Sequence, residues 1–496
     1  MSYRNPVIPG FHPDPSVCRV GDDFYIAVSS FTYFPGVPIF HSTNLVDWTQ
    51  IGNALDRPSQ LDLSETQFGV FLGVFAPTLR HHDGRFWMIT TVYSHQGPDN
   101  FFATAEDPAG PWSEPVHFSL RGIDPDIAWD ADGNCWVHAS NGQSILRCRI
   151  DDVTGEVLDE PTEVWSGTGL QYPEAPHVFE RDGTWYLLIA EGGTERGHAV
   201  SIARGPSPVG PWEGCPANPI LSHRSTSLPI QNTGHSDLVE AVDGSWWMVL
   251  LATRPRGGSP GYHVLGRETF LAPVEWVDGW PVVDHVRLEY DVRPPGPATF
   301  VDPHHCDDFE SDHLDRRWLT VRRPASEFAS LDRRTGWLTL TAGDETLDST
   351  SPTLVARRQQ HERFVARTMV DTGTATEAGL VVLMDEHHHY EIAVADGTIA
   401  VRARIGPLAT TVATAPSPTG PCVLVVEAKP GSRGPDQLAF GVEGADGTIA
   451  VLAELDGRYL STEVACGMTG RVVGMYAVGG VAAFDWFDYS DVATEA

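Results

Sequence analysis

Three carboxylates and one imidazole stand at matching places in a repeating stretch of this chain. Asp14 lies between Pro13 and Pro15, Asp124 precedes Pro125, Glu174 opens Glu174-Ala175-Pro176-His177, and His235 opens His235-Ser236-Asp237. Proline fixes φ and restricts the residue before it, so Asp14 is held on a stiff backbone and aimed. Taken singly, each is better read as a turn or cap residue; the shared offset makes a site the better reading. Three gathered carboxylates suit cleavage of a glycosidic bond, which needs one acid and one base or nucleophile. A third negative charge raises the acid's pKa and keeps it protonated at neutral pH. Phe31, Tyr33, Phe34, Phe75, Trp129 and Tyr172 lie near these positions and offer sugar-facing walls. For each aromatic alone, packing between sheets is at least as good a reading.

The elements that must position these groups repeat. Asp, usually Gly, one residue and an aromatic-rich strand recur as Asp22-Asp23-Phe24-Tyr25, Asp83-Gly84-Arg85-Phe86-Trp87, Asp132-Gly133-Asn134-Cys135-Trp136, Asp182-Gly183-Thr184-Trp185-Tyr186 and Asp243-Gly244-Ser245-Trp246-Trp247. Asp-Gly ahead of aromatic and β-branched residues is a hairpin signal. A short strand precedes each copy: Ser16-Val17-Cys18, Thr78-Leu79-Arg80, Asp126-Ile127-Ala128, His177-Val178-Phe179 and Asp237-Leu238-Val239. Five copies at intervals of roughly 50 to 60 residues predict a five-bladed β-propeller whose first strands line a central channel. The competing reading, two β-sandwiches with coincidental turns, does not explain the alignment. The candidate groups lie about ten to twelve residues before the aromatic strands. Equivalent positions in a propeller converge on its axis, so Asp14, Asp124, Glu174 and His235 are expected around one funnel, with Ala76-Pro77 at the matching place in the second blade.

At 496 residues the chain is too long for one core, and two domains are expected. A net charge of −33 argues against nucleic acid or an anionic membrane surface as partner. Seven scattered cysteines without a CxxC suit reduced thiols in a cytoplasm. The first residues, Met1-Ser2-Tyr3-Arg4-Asn5-Pro6, contain no apolar leader, and no later run is long enough to span a bilayer.

Asn5-Pro6 through Asp14-Pro15-Ser16, Phe31-Thr32-Tyr33-Phe34-Pro35-Gly36-Val37, Gly73-Val74-Phe75-Ala76-Pro77, Ile123-Asp124-Pro125, Glu174-Ala175-Pro176-His177, Ala190-Glu191-Gly192-Gly193-Thr194, Gly234-His235-Ser236-Asp237 and Leu265-Gly266-Arg267-Glu268-Thr269 together resemble glycoside hydrolase family 43. The likeness is to its β-xylosidase and α-L-arabinofuranosidase branch and runs almost the full length. It implies Asp14 as general base, Glu174 as general acid and Asp124 as the carboxylate that tunes and positions the acid. That family inverts the anomeric centre, so the Asp14 and Glu174 carboxyl groups are expected about 6.5–9.5 Å apart, with room for a water. The resemblance further implies Arg267 on sugar hydroxyls, Phe31 as an aromatic wall and His235 as an axial histidine. In some relatives a water-ligated calcium sits beside that histidine. A structural calcium near His235 is the one metal the resemblance allows; one histidine is a poor calcium site by itself, and no cofactor is required. Phe75 stands where relatives commonly have Trp, and Thr469-Gly470-Arg471-Val472-Val473-Gly474 lacks a Phe that relatives often use to close the pocket. Both departures bear on the substrate-binding wall and leave the reaction untouched.

After Trp280-Pro281-Val282-Val283 the composition shifts, and Arg293-Pro294-Pro295-Gly296-Pro297 reads as a linker. Short strands from Cys306 onward read as a β-sandwich, resembling the lectin-like accessory domain of the same branch. The expected organisation is all-β: a propeller over 1–292, a linker over 293–305 and a lectin-like β-sandwich over 306–496. His387-His388-His389 is read as a turn entering a strand, since alternation sends the middle ring to the opposite face.

The reading that results is a cytoplasmic, exo-acting, inverting glycosidase releasing terminal β-D-xylose or α-L-arabinofuranose from short oligosaccharides. Relatives are often oligomeric and pack the sandwich on the propeller to help wall the pocket, so a homo-oligomer is expected. The alternatives are an exo-hydrolase for another pentofuranoside and a non-catalytic sugar-binding propeller.

Overall fold

The structure, a computed structural model, describes residues 2–64, 66, 72–299 and 305–492. The chain divides into two compact units. The first runs through Thr66, continues from Leu72 to Arg254 and resumes at Arg267; the second takes Pro255–Gly266 and the residues beyond 301. The expected run over 1–292 is therefore interrupted. The reason is local bonding: Gly258 N–H donates to Arg433 O at 2.8 Å, and His263 Nδ1 lies 2.7 Å from Glu463 Oε1.

The first unit is five antiparallel sheets in chain order, the five expected blades. Their innermost strands are Ser16–Val20, Thr78–His82, Ile123–Trp129, Glu174–Arg181 and Gln231–Glu240. Each pairs with one aromatic-rich second strand, Asp23–Ala27, Arg85–Ser94, Cys135–Ser140, Thr184–Glu191 or Trp246–Thr253. The Asp-Gly turns join them: Asp83 and Asp182 sit at φ 47° and 51°, followed by Gly84 and Gly183 at 75° and 76°. That run of positive φ is what a tight hairpin turn demands, and Asp tolerates it better than most residues. The apolar faces of neighbouring blades bury one another; Ile26, Met88, Val137, Leu188 and Val249 have no exposed surface.

The ring closes through its ends. Tyr3–Arg4 pairs with Glu289–Tyr290, and Val7 and Ile8 donate to Thr269 O. The Asn5 side chain binds Leu271 O and Arg287 O at 2.8 and 2.9 Å. The segment expected as a linker is fastened over its first part. Arg293 pairs with Asp47 at 2.5 Å, Thr299 N–H donates to Asp47 at 2.9 Å, and Asn44 Nδ2 donates to Pro297 O. Residues 300–304 of that segment lie outside the described residues.

The second unit is a two-sheet sandwich. One sheet is ordered Ala329–Ser330, Leu338–Ala342, Gly480–Asp491, Phe364–Asp371, Cys422–Pro430, Asp436–Glu443 and Ile449–Asp456, with His305–Asp307 also on Gly480–Asp491. The other is Leu354–Arg358, Val472–Val478, Glu377–Asp385, His388–Ala395, Thr398–Ile405 and Leu408–Pro416. Alternate residues face inward, and Leu380, Ile392, Leu424, Phe440, Met475 and Phe484 fill the core. Arg471, wholly buried, makes a bidentate pair with Asp436 at 2.6 and 3.0 Å. His387 sits in a turn and His388 opens the strand. His389 bonds Glu391 at 2.6 Å and Asp348 at 3.1 Å, while His388 turns to Asp385 at 2.9 Å. The three rings do not converge.

All seven cysteines are free. No described helix is long and apolar enough to cross a membrane.

Candidate active site

Every blade breaks its innermost strand at the entry end, and the breaks carry the polar groups. Asp14 precedes the first strand at φ 57°. Phe75-Ala76-Pro77 separates Gly73–Val74 from Thr78–His82, two strands paired with the same neighbour. In blades three, four and five the pairing register slips between Ile123 and Asp126, between Glu174 and His177, and between Gly234 and Ser236. Asp124, Ala175 and His235 take the left-handed conformation at these slips, with φ of 54°, 53° and 42°. A bulge frees a residue from the ladder and re-aims its side chain, which is how five regular sheets turn polar groups toward one end of a channel.

Asp14 is 3% exposed. Ser29 Oγ donates to its Oδ2 at 2.5 Å, Arg267 Nη1 donates to Oδ1 at 3.1 Å, and His235 Nδ1 lies 3.4 Å from Oδ1. Burial alone would raise this carboxyl, but Arg267, His235 and the Ser29 bond outweigh it and hold the pKa below the ordinary value. Glu174 behaves oppositely. Burial first, then the charges of Asp124 and Asp14, push its pKa well above the usual carboxylate range, against the pull of Arg267. Its side chain keeps 19% exposure and so a window to solvent. Asp124, buried beside Asp14, is pushed up to about 7 by burial and that neighbouring charge. The Ala175 N–H donates to Asp124 Oδ2 at 3.3 Å, tying the third blade's carboxyl to the residue after Glu174.

The Arg267 guanidinium also donates to Thr194 Oγ1 at 3.0 Å and lies 5.4 Å above the Phe31 ring. Phe31 and Phe75 pack at 5.2 Å between centroids, and Phe75 stacks on Tyr93 at 5.3 Å with a 13° tilt. Gly73 permits this wall: a Cβ there would fall 2.3 Å from the Phe31 carbonyl. The loop before Glu174 is clamped as well. Ser140 Oγ donates to Pro173 O at 2.6 Å, and buried Glu191 accepts from Thr168 N and Thr168 Oγ1 at 3.0 and 2.7 Å.

The structure thus brings Asp14, Asp124, Glu174, His235, Arg267 and Phe31 together, with Phe75 joined through Phe31. It does not bring the other aromatics. Tyr33 and Phe34 are buried at 2% and 4%, with Tyr33 packed edge-on to Phe11. Trp129 stacks on His82 at 4.1 Å and meets Trp87, the packing between blades that was its competing reading. Tyr172 is 55% exposed.

The sequence reading also missed a ring of polar residues, one per blade, just below the carboxylates. Arg80 pairs with Asp126 and Asp237 at 2.9 Å each and donates to His177 Nδ1 at 3.1 Å. Ser16 Oγ completes the ring, donating to Asp237 Oδ2 at 3.0 Å. The two axial carboxylates therefore share one guanidinium, and His235 Nδ1 faces Asp14. Among the described residues, no group of three or more His, Cys, Asp or Glu is placed to hold a metal ion. His198 and Asn232, which lie against Glu174 and Thr194, were missed too.

Comparison with known proteins finds matches along almost the whole chain. The family described as Glycosyl hydrolases family 43 matches residues 3–281, and Beta xylosidase C-terminal Concanavalin A-like domain matches 306–490. A non-reducing end α-L-arabinofuranosidase of Bacteroides ovatus is 39% identical over 98% of this chain and 94% of its own length. A xylosidase/arabinosidase of Butyrivibrio fibrisolvens is 37% identical over 99% of both chains. Among solved structures, a protein of Bacillus licheniformis superposes with a TM-score of 0.92 at 32% identity, covering 99% of this chain and 100% of that one.

Proposed function

Because the chain belongs to glycoside hydrolase family 43 and carries that family's C-terminal sandwich, it is a glycosidase, and we propose that it is exo-acting and inverting, releasing terminal α-L-arabinofuranose or β-D-xylose from short oligosaccharides. One observation supports the assignment of roles: two carboxyls facing the same Arg267 are displaced in opposite directions, Asp14 below the ordinary carboxylate range and Glu174 well above it. Asp14, kept ionised by Arg267, His235 and Ser29, takes a proton from the attacking water. Glu174, kept protonated by burial and by Asp124 and Asp14, gives its proton to the departing glycosidic oxygen. Each turnover leaves Asp14 protonated and Glu174 ionised, and exchange with solvent restores both. Arg267 and the Phe31–Phe75 wall hold the terminal sugar. No step is assigned to a metal; a calcium reached through water beside His235 would be structural.

Phe75 favours a second reading of the sugar, a different pentofuranoside, because its ring forms the wall beside Phe31. A sugar-binding propeller without catalysis has no use for carboxyls in opposed states. The reading extends to a cytoplasmic homo-oligomer. Five buried and two exposed free thiols suit a reducing compartment, and light scattering on the purified chain reads its assembly.

The test is turnover of aryl α-L-arabinofuranoside and aryl β-D-xyloside side by side, with Asp14→Ala as control and the first-formed anomer followed by proton NMR. Activity abolished in the variant, with an inverted first product, is expected. A retained anomer, or an unaffected Asp14→Ala, overturns the assigned roles.

A further inference from the structure

His198 lies one residue before the third strand of blade four, Ala199–Gly205, and its side chain is 1% exposed. Its Nδ1 is 3.1 Å from the Asn232 carbonyl oxygen. A carbonyl only accepts, so Nδ1 carries the ring's proton and Nε2 is left with a lone pair. That Nε2 is buried, makes no hydrogen bond, and lies 3.8 Å from Glu174 Oε1. The slot holding the ring is built for it. A Cβ on Gly234 would fall 2.3 Å from Nδ1, so only glycine leaves room there. Asn232, whose carbonyl sets the tautomer, is itself fixed at φ 61° and bonded through Nδ2 to Thr194 O at 3.3 Å.

We propose that His198 is a positioning residue for Glu174: a neutral imidazole whose Nε2 accepts the hydrogen of the Glu174 carboxyl in the free enzyme and so keeps the acid loaded until the leaving oxygen takes its place. The proposal rests on Glu174 being the general acid. The 3.8 Å separation is closed by a small turn of the Glu174 carboxyl, which keeps 19% exposure. The charged groups facing Glu174 are Asp124, Asp14, Arg267 and Glu195; those facing His198 are Arg267 and Asp14, with His235 also near. Burial, and then Arg267, disfavour an imidazolium, and the His198 pKa is pulled down to about 4. At neutral pH the ring is therefore an acceptor. Accepting from the protonated carboxyl stabilises the neutral form and raises the acid's pKa, so removing the acceptor lowers it. When substrate binds, the hydroxyl turns from Nε2 to the leaving oxygen, so the one proton serves the two acceptors in turn, and Nε2 regains a donor when solvent reloads Glu174.

The test compares wild type, His198→Phe and His198→Gln, reading kcat/KM against pH on phenyl and dinitrophenyl glycosides. In the Phe variant the alkaline limb is expected about one unit lower. Loss should be about 10- to 100-fold on the phenyl glycoside, whose departure needs the acid, and slight on the dinitrophenyl one. Gln, whose amide oxygen accepts, should recover most of both. Equal loss on the two substrates with an unmoved limb reduces His198 to packing and overturns the proposal. Failure of wild type on every glycoside would count against the functional reading. The His198 contact is then read without turnover, from the carbon-13 titration of the Glu174 carboxyl: a lower midpoint in His198→Phe supports it, and an unchanged midpoint overturns it.

Discussion

Ser29 donates its hydroxyl hydrogen to Asp14 Oδ2 across 2.5 Å, while Arg267 holds the other oxygen at 3.1 Å. The carboxylate is thus kept ionised from both sides. Ser29→Ala removes one of these bonds, so the Asp14 pKa should rise. The acid limb of kcat/KM is expected about half a unit to one unit higher, with the alkaline limb unmoved. An unmoved acid limb would mean that Asp14 is not the base.

Asp124 titrates near 7 beside Glu174. Below that pH it is neutral, and Asp124→Asn should behave much like wild type in the acid's pKa. Above it, the ionised Asp124 is what props Glu174 up. The variant's alkaline limb should therefore fall at lower pH than wild type, with the difference appearing only above about pH 7. A uniform loss across the pH range would assign Asp124 to substrate positioning alone.

Glu174 carries a stability cost that can be measured. Its folded pKa lies above its unfolded one, so unfolding releases a proton once pH exceeds about 4.5. Stability is lost as pH rises from the unfolded pKa toward the folded one, then levels off. Glu174→Gln is neutral in both states and escapes this. Its melting temperature should exceed wild type by a margin that grows between pH 5 and pH 8, while activity on poor leaving groups falls about 10²- to 10⁴-fold. A margin independent of pH would count against the raised pKa.

Arg80 is the cation shared by two carboxylates that are 0% and 3% exposed. Arg80→Met leaves both charges buried without a cation and should cost about 3 kcal/mol, read by denaturant unfolding at pH 7. Replacing Asp126 and Asp237 by Asn in the same chain should restore most of it.

Tyr93 backs Phe75, which backs Phe31. Tyr93→Ala should raise KM by about 10-fold, equivalent to ~1.4 kcal/mol, with a smaller change in kcat. Phe75→Trp should change the ratio of xyloside to arabinofuranoside turnover. An unchanged ratio would remove Phe75 from the sugar-binding wall.

The blades were legible because hairpin chemistry is local: Asp83-Gly84 and Asp182-Gly183 announce their turns within a few residues. Asp14, Asp124 and Glu174 were legible through proline neighbours and a common offset. The axial ring was not, although Ser16, Asp126 and Asp237 stand only two residues beyond Asp14, Asp124 and His235. A strand beginning with a polar residue reads as an ordinary strand start until five such starts meet on one axis. His198 had no local signal, because its tautomer is set by a carbonyl 34 positions away. Arg267 was found only by resemblance, since its partner Asp14 is 253 positions distant. Trp129 was offered as a sugar wall because composition does not tell which end of a strand faces the channel mouth.

The ring closure has a consequence for the order in which this enzyme comes into being. Asp14 leaves the ribosome 253 residues before Arg267, which holds its carboxylate, and residues 267–290 latch the stretch from Tyr3 to His12. Asp14 is synthesised ahead of the groups that seat it. A nascent chain halted before Arg267 carries Asp14, Asp124 and Glu174 without the guanidinium that holds Asp14, so the arrangement is completed only once the last blade is made.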